Sequence, residues 1–131
     1  MTLTPSHAAA TYQTVEVTSR SPLELVVMLY DGALAAMTQA RDALARGDHL
    51  TKAPALSKAL AIVHALQSTL NMDAGREVAT QLDTLYSYVS GRLIEANIRQ
   101  DPACIDEAIR VFSRLREAWG QIAAAPVSQA S

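Results

Sequence analysis

Cysteine is almost missing from this sequence. A single thiol, Cys104, stands among 131 residues, so no intramolecular disulfide can form and nothing points to an oxidising compartment. No charged-then-apolar leader opens the chain, and the cytoplasm is the default expectation. Glycine and proline are scarce, with 5 of each, and aromatic residues make up only 5%. That scarcity leaves alanine and leucine to dominate, and their propensities favour helix over sheet almost everywhere.

Charge of one sign is missing too. The 13 acidic residues nearly balance 11 basic ones, giving a formal charge of -2, and no basic stripe or tail is present to neutralise phosphates. Nucleic acid is therefore not expected as a partner. The longest apolar-leaning stretch without a charge, Ala59 to Met72, has 14 residues, short of the roughly 20 that a membrane span needs. No membrane insertion is predicted.

The motifs of catalysis are equally thin. Helical bundles often hold metals through Glu-x-x-His pairs, but none occurs, and His64 within Ala-Ile-Val-His-Ala-Leu reads as a boundary or core residue. Phosphate-binding glycine loops, clustered His and Cys ligands and Gly-x-Ser-x-Gly elbows are lacking. Cys104 falls in the opening turn of a predicted helix, where a thiol can become reactive, but no base is spaced to serve it, so a small buried apolar side chain is the expected role. No catalytic residue, cofactor or metal is predicted. Tyr30 and Tyr86 are expected to pack at bundle edges with their hydroxyls in water.

What is present is helical punctuation and periodicity. A chain of this length fits one domain that buries roughly two-thirds of its unfolded surface. Residues 1–20 lack a helical repeat and form a mobile N-terminal segment, although Tyr12, Val15 and Val17 are apolar enough to dock. Ser21-Pro22-Leu23-Glu24 is a helix start: serine as N-cap, proline as first helical residue, glutamate three positions on as the reciprocal partner. The first helix spans 21–46 and stops at Gly47.

The second is expected over 51–72, because Pro54 is tolerable only in a first turn. Its buried face is Leu56, Leu60, Val63, Leu66 and Leu70. The third covers 74–98 with Asp73 as its cap, and the fourth covers 101–124, opened by Asp101-Pro102 and carrying Ile105, Ala108, Phe112, Leu115, Trp119 and Ile122 on one face. Residues 126–131 read as a disordered tail after a bundle that ends near 125. Four similar helices on short linkers predict an all-α, antiparallel up-down-up-down four-helix bundle.

The first helix carries more apolar surface than one core requires. From Leu23 to Met37 only two of fifteen positions, Glu24 and Asp31, are charged. One stripe, Val26, Tyr30, Ala33, Met37, Ala40 and Leu44, can face the bundle centre, whereas about three apolar positions in seven suffice for a core-facing helix. A second stripe, Leu25, Met28, Leu29, Gly32 and Ala36, then needs another occupant. The Tyr12 segment can cover it from within the same molecule, or an external amphipathic helix can lie on it. Self-association through the same surface, including a homodimer, stays open. So does a small helical nuclease built on Arg46 and His49, the least supported of these readings.

In order along the chain stand Tyr12 and Val17-Thr18-Ser19-Arg20-Ser21-Pro22, then Met28-Leu29-Tyr30-Asp31-Gly32-Ala33, then Leu70-Asn71 with Gly75 and Val78-Ala79. They are followed by Leu85-Tyr86-Ser87-Tyr88, Arg92-Leu93-Ile94-Glu95-Ala96-Asn97, Asp106-Glu107 and Leu115-Arg116-Glu117-Ala118-Trp119. In this order and spacing the chain resembles the flagellar secretion chaperones of the FliS family, over roughly Tyr12 to Ile122. Arg20, in place of a small residue, and Thr80-Gln81, in place of a more usual Asn, are its departures.

The resemblance implies a helical bundle with an N-terminal capping segment, which binds the disordered C-terminal region of flagellin in the cytosol, prevents premature polymerisation and aids delivery to the flagellar export gate. Carried onto this sequence, Tyr12, Val15 and Val17 belong to a cap that yields to flagellin, and Leu25, Met28, Leu29 and Tyr30 border the groove.

Overall fold

A computed structural model describes residues 21–124. The N-terminal segment with Tyr12, Val15 and Val17, and the tail from 125 onward, lie outside the described residues. Within them the chain forms four α-helices and no strand: α1, Pro22–Arg46; α2, His49–Ser68; α3, Met72–Arg99; α4, Pro102–Ala124.

The start of α1 follows the sequence signal. Ser21 is extended, and its Oγ accepts the N–H of Glu24 at 3.1 Å, with Pro22 in the first turn, where its missing N–H costs nothing. The helix ends on Gly47, whose φ of 74° suits a residue without Cβ. Gly47 N–H donates to the Leu44 carbonyl and Asp48 N–H to that of Ala43, at 3.1 and 2.8 Å, so two terminal carbonyls are satisfied.

The α2 boundaries differ from expectation. Asp48, rather than a residue near Thr51, opens the helix by accepting the Thr51 N–H at 3.2 Å, which leaves Pro54 inside the helix. The carbonyl that Pro54 cannot serve belongs to Leu50, which is 91% exposed, so water can take its place. At the other end α2 stops at Ser68 instead of reaching 72. There Ser68 Oγ donates to the Ala65 carbonyl and Thr69 Oγ1 to that of Leu66, both at 2.8 Å, so side chains satisfy carbonyls that further helical turns would otherwise have served.

The cap of α3 is Asn71, not Asp73: Asn71 Oδ1 accepts the Ala74 N–H at 3.0 Å, and Asp73 sits in the first turn, where the helix dipole favours an acid. Asp101 opens α4 as predicted, its Oδ1 taking the Ala103 N–H at 3.0 Å.

Cross-helix pairs give the bundle its sense. Arg116 reaches Asp31 and Arg41 reaches Asp106, so ascending α1 means descending α4. Gln67 bonds Asp83 and Ser87 while Lys52 bonds Asn97, which sets α2 antiparallel to α3. Arg92 and Tyr88 both meet Glu107 across the short turn between α3 and α4. Each helix packs on its chain neighbours, and α1 against α4 closes the ring. The predicted bundle is the observed one.

The core holds Tyr30, Met37, Val63, Tyr86, Val89, Leu93, Ile105 and Phe112, with fully buried alanines such as Ala33, Ala40, Ala59, Ala96 and Ala108 allowing the helices close approach. By length and composition alone α1 could cross a membrane. Its buried residues Tyr30, Ala33, Ala36, Met37, Ala40, Ala43 and Leu44 nonetheless make it one wall of this core.

Candidate functional site

Apolar side chains left uncovered at one pole of the bundle form the candidate site. The N-terminal end of α1, the C-terminal ends of α2 and α4 and the first turns of α3 meet there around a groove of about 300 Å³, lined among others by Val26, Leu66, Leu70, Val78, Leu82 and Trp119. The remaining lining residues, Thr69, Asn71, Gly75, Ala79 and Tyr86, add no ionisable carboxylate or amine. An apolar side chain placed here meets no charged group that would need compensation.

Beneath the groove, aromatic residues of three helices pack together. Tyr30 of α1 stacks on Phe112 of α4 with ring centroids 4.3 Å apart, and its hydroxyl lies 2.6 Å from that of Tyr86 on α3. Trp119 Nε1 donates to the Tyr30 hydroxyl at 3.2 Å, which fixes the indole as a groove wall. Tyr30 and Tyr86 are 0% and 2% exposed. Their expected place at the bundle edge with hydroxyls in water is therefore corrected: the two phenols satisfy each other, and that permits their burial.

Burial chiefly, and the bond to Tyr86 next, push the Tyr30 hydroxyl far above the ordinary phenol range, with Trp119 pulling the other way. Burial raises Tyr86 as well, against the opposing bond from Tyr30. Neither hydroxyl can act as a base near neutral pH; they position, and do not react.

The other residues singled out from the sequence fall elsewhere. Met28 and Leu29 are 37% and 40% exposed on α1, Leu25 is half-buried, and Ala36, placed in the outer stripe, is buried at 3% against the core. Met28 borders a second, more polar depression between α1 and α4 that contains the Asp31–Arg116 pair. His64 is exposed on α2, and Cys104 is buried with Arg92 Nη2 3.0 Å from its sulfur. Arg46 pairs with Asp48, and both it and the exposed His49 lie at the opposite pole.

Periodicity alone does not mark Leu70, Asn71, Gly75, Val78 and Ala79 as groove residues, and Val78 is 63% exposed. The signal was there in another form: Leu70-Asn71, Gly75, Val78-Ala79, Tyr86 and Trp119 are pieces of the ordered motif set, and they converge on this one pole.

Comparison with known proteins agrees with the geometry. The family model described as flagellar protein FliS matches residues 5–126. A protein of Salmonella typhimurium named flagellar secretion chaperone FliS is 44% identical over 107 residues, covering 81% of this chain and 79% of that one. Proteins of the same name from Vibrio cholerae and Bacillus subtilis are 35% identical over 107 residues and 34% over 110, covering 82% and 84% of this chain and 79% and 81% of theirs. A four-helix bundle matched over nearly its whole length by this family model, the chain belongs to the FliS family of flagellar secretion chaperones.

Proposed function

We propose that the pole groove holds an apolar helical segment from the C-terminal region of flagellin, so that this non-enzymatic, cytosolic chaperone keeps its client from polymerising before handing it to the export gate. The observation that carries the reading is an uncharged groove walled by Val78, Leu82 and the anchored Trp119. The name its relatives carry, flagellar secretion chaperone, supports it. Apolar surface contributes about 25 cal/mol per Å², so each hundred Å² covered is worth about 2.5 kcal/mol before ordering costs, enough for reversible capture.

In this reading Tyr12, Val15 and Val17 belong to a cover that the client displaces. Leu25, Met28 and Leu29 extend the contact along α1, and Tyr30 acts from beneath by holding Trp119. Self-association through Met28 and Leu29 is the competing reading. Calorimetric titration of the full chain with a flagellin C-terminal fragment tests the reading. Saturable one-to-one binding is expected, and no complex at about 50 µM, a binding free energy weaker than roughly −6 kcal/mol, would sink it.

A further inference from the structure

The first turn of α3 is bent in a way that an uninterrupted helix has no use for. Arg76 has φ 47° and ψ −120°, the mirror image of the first central position of a type II turn, where glycine is at home and a residue with a Cβ is strained. Its neighbour Gly75 is the residue that tolerates the fold-back: a Cβ there would stand 2.6 Å from the Cβ of Ala79.

On the near side of the bend the turn is self-contained, because Asn71 takes the Ala74 N–H on its side chain at 3.0 Å and the Gly75 N–H on its carbonyl at 2.7 Å. On the far side Thr80 Oγ1 donates to the Arg76 carbonyl at 3.0 Å and the helix runs regularly. Asn71, Gly75, Val78 and Ala79, from both sides of the bend, all line the groove.

We propose that Met72–Gly75 is a hinged flap at the end of the groove and that Arg76 is its hinge. In the bent state the flap forms the end wall. In a second state Arg76 takes ordinary helical angles, the first turn swings into line with the rest of α3, and the groove lengthens to admit a guest helix. Strain at Arg76 keeps the bent state from dominating, so that a guest with modest preference for the straight state shifts the balance. The inference rests on the groove being the binding site.

Two opposed substitutions in the full chain test it. Arg76→Gly removes the strain and favours the bent state, whereas Gly75→Ala places a Cβ where the bent state has no room. The association rate of a flagellin C-terminal fragment is expected to fall about tenfold in Arg76→Gly and to rise in Gly75→Ala, following the population of the straight state. Without the fragment, acrylamide quenching of Trp119, the one tryptophan in the chain, reads the flap directly. Quenching is expected to be easier in Gly75→Ala and harder in Arg76→Gly than in the parent.

Identical quenching in all three proteins overturns the hinge, whatever the fragment does. Altered quenching with unaltered association rates overturns its control of the groove. A fragment that fails to bind the parent defeats the functional reading instead, and quenching alone then decides the hinge.

Discussion

The hydroxyls of Tyr30 and Tyr86 meet 2.6 Å apart across the interior of the bundle, one from α1 and one from α3. These helices sit diagonally and share little other contact, so the pair is a polar pin through the apolar core, with the indole of Trp119 as its third member.

Removing the pin should be felt in stability and in alkaline tolerance. Tyr30→Phe leaves the Tyr86 hydroxyl buried without its partner, takes the acceptor from the Trp119 N–H, and is expected to cost about 1–3 kcal/mol in denaturant titration. Both phenols are raised in the folded state, so their contribution is whole below the unfolded phenol value near 10 and is lost as pH climbs above it, where the unfolded chain ionises first. The parent should therefore lose stability between pH 9 and about 12, and the slope should be shallower in Tyr30→Phe. Equal slopes would contradict the assignment.

Groove and core should separate under mutation. Phe112→Ala empties a fully buried position beneath Tyr30 and is expected to cost about 3–5 kcal/mol of folding stability. Val78→Asp, at a 63% exposed groove position, should leave stability within about 0.5 kcal/mol while weakening capture of the flagellin fragment at least tenfold. Thermal melts and calorimetry on the same samples distinguish the two effects.

The turn between α1 and α2 offers a control at the far pole. A Cβ on Gly47 meets nothing within 4 Å, so the cost of Gly47→Ala is conformational, set by φ of 74°, and should be about 1 kcal/mol. The denaturation midpoint should fall with an unchanged slope, and fragment affinity should not move.

Across α1 and α4 the Asp31 carboxylate takes two bonds from Arg116, at 2.8 and 3.3 Å, on the surface. Asp31→Asn is expected to produce a small loss of stability that disappears near 1 M salt, where screening acts within about 3 Å. A loss that persists in high salt would mean the pair does more than attract.

Much of the fold was legible because caps and periodicity are local. Ser21, Pro22, Gly47 and Asp101 act within a few residues of themselves, and each sits where its chemistry predicts. The boundaries that shifted did so through choices between neighbours: Asp48 over Thr51, Asn71 over Asp73, and hydroxyls at Ser68 and Thr69 that satisfied the last carbonyls early. The surplus apolar surface of α1 was visible, and Met28 and Leu29 lie outside as the second stripe predicts. Ala36 went to the core instead, because helix rotation is set by partners that periodicity does not name. Tyr30 stands in the core-facing stripe of α1, but the bond that lets its hydroxyl and that of Tyr86 be buried joins residues far apart in sequence, which no local pattern carries. The bend at Arg76 had only Gly75 beside it as a hint.

The ring order of the helices also bears on how the molecule comes into being. Among the described residues, three of the four main seams join helices that follow one another in the chain, and the α1–α4 seam brings distant segments together. Topologies dominated by such local seams fold in microseconds to milliseconds. The α1–α4 closure, which draws Trp119 to Tyr30 and Arg116 to Asp31, joins residues far apart in sequence and carries the largest loop-closure entropy of these seams. That same closure brings Val26 and Trp119 to the groove, so a chain cut before α4 would lack one of its walls.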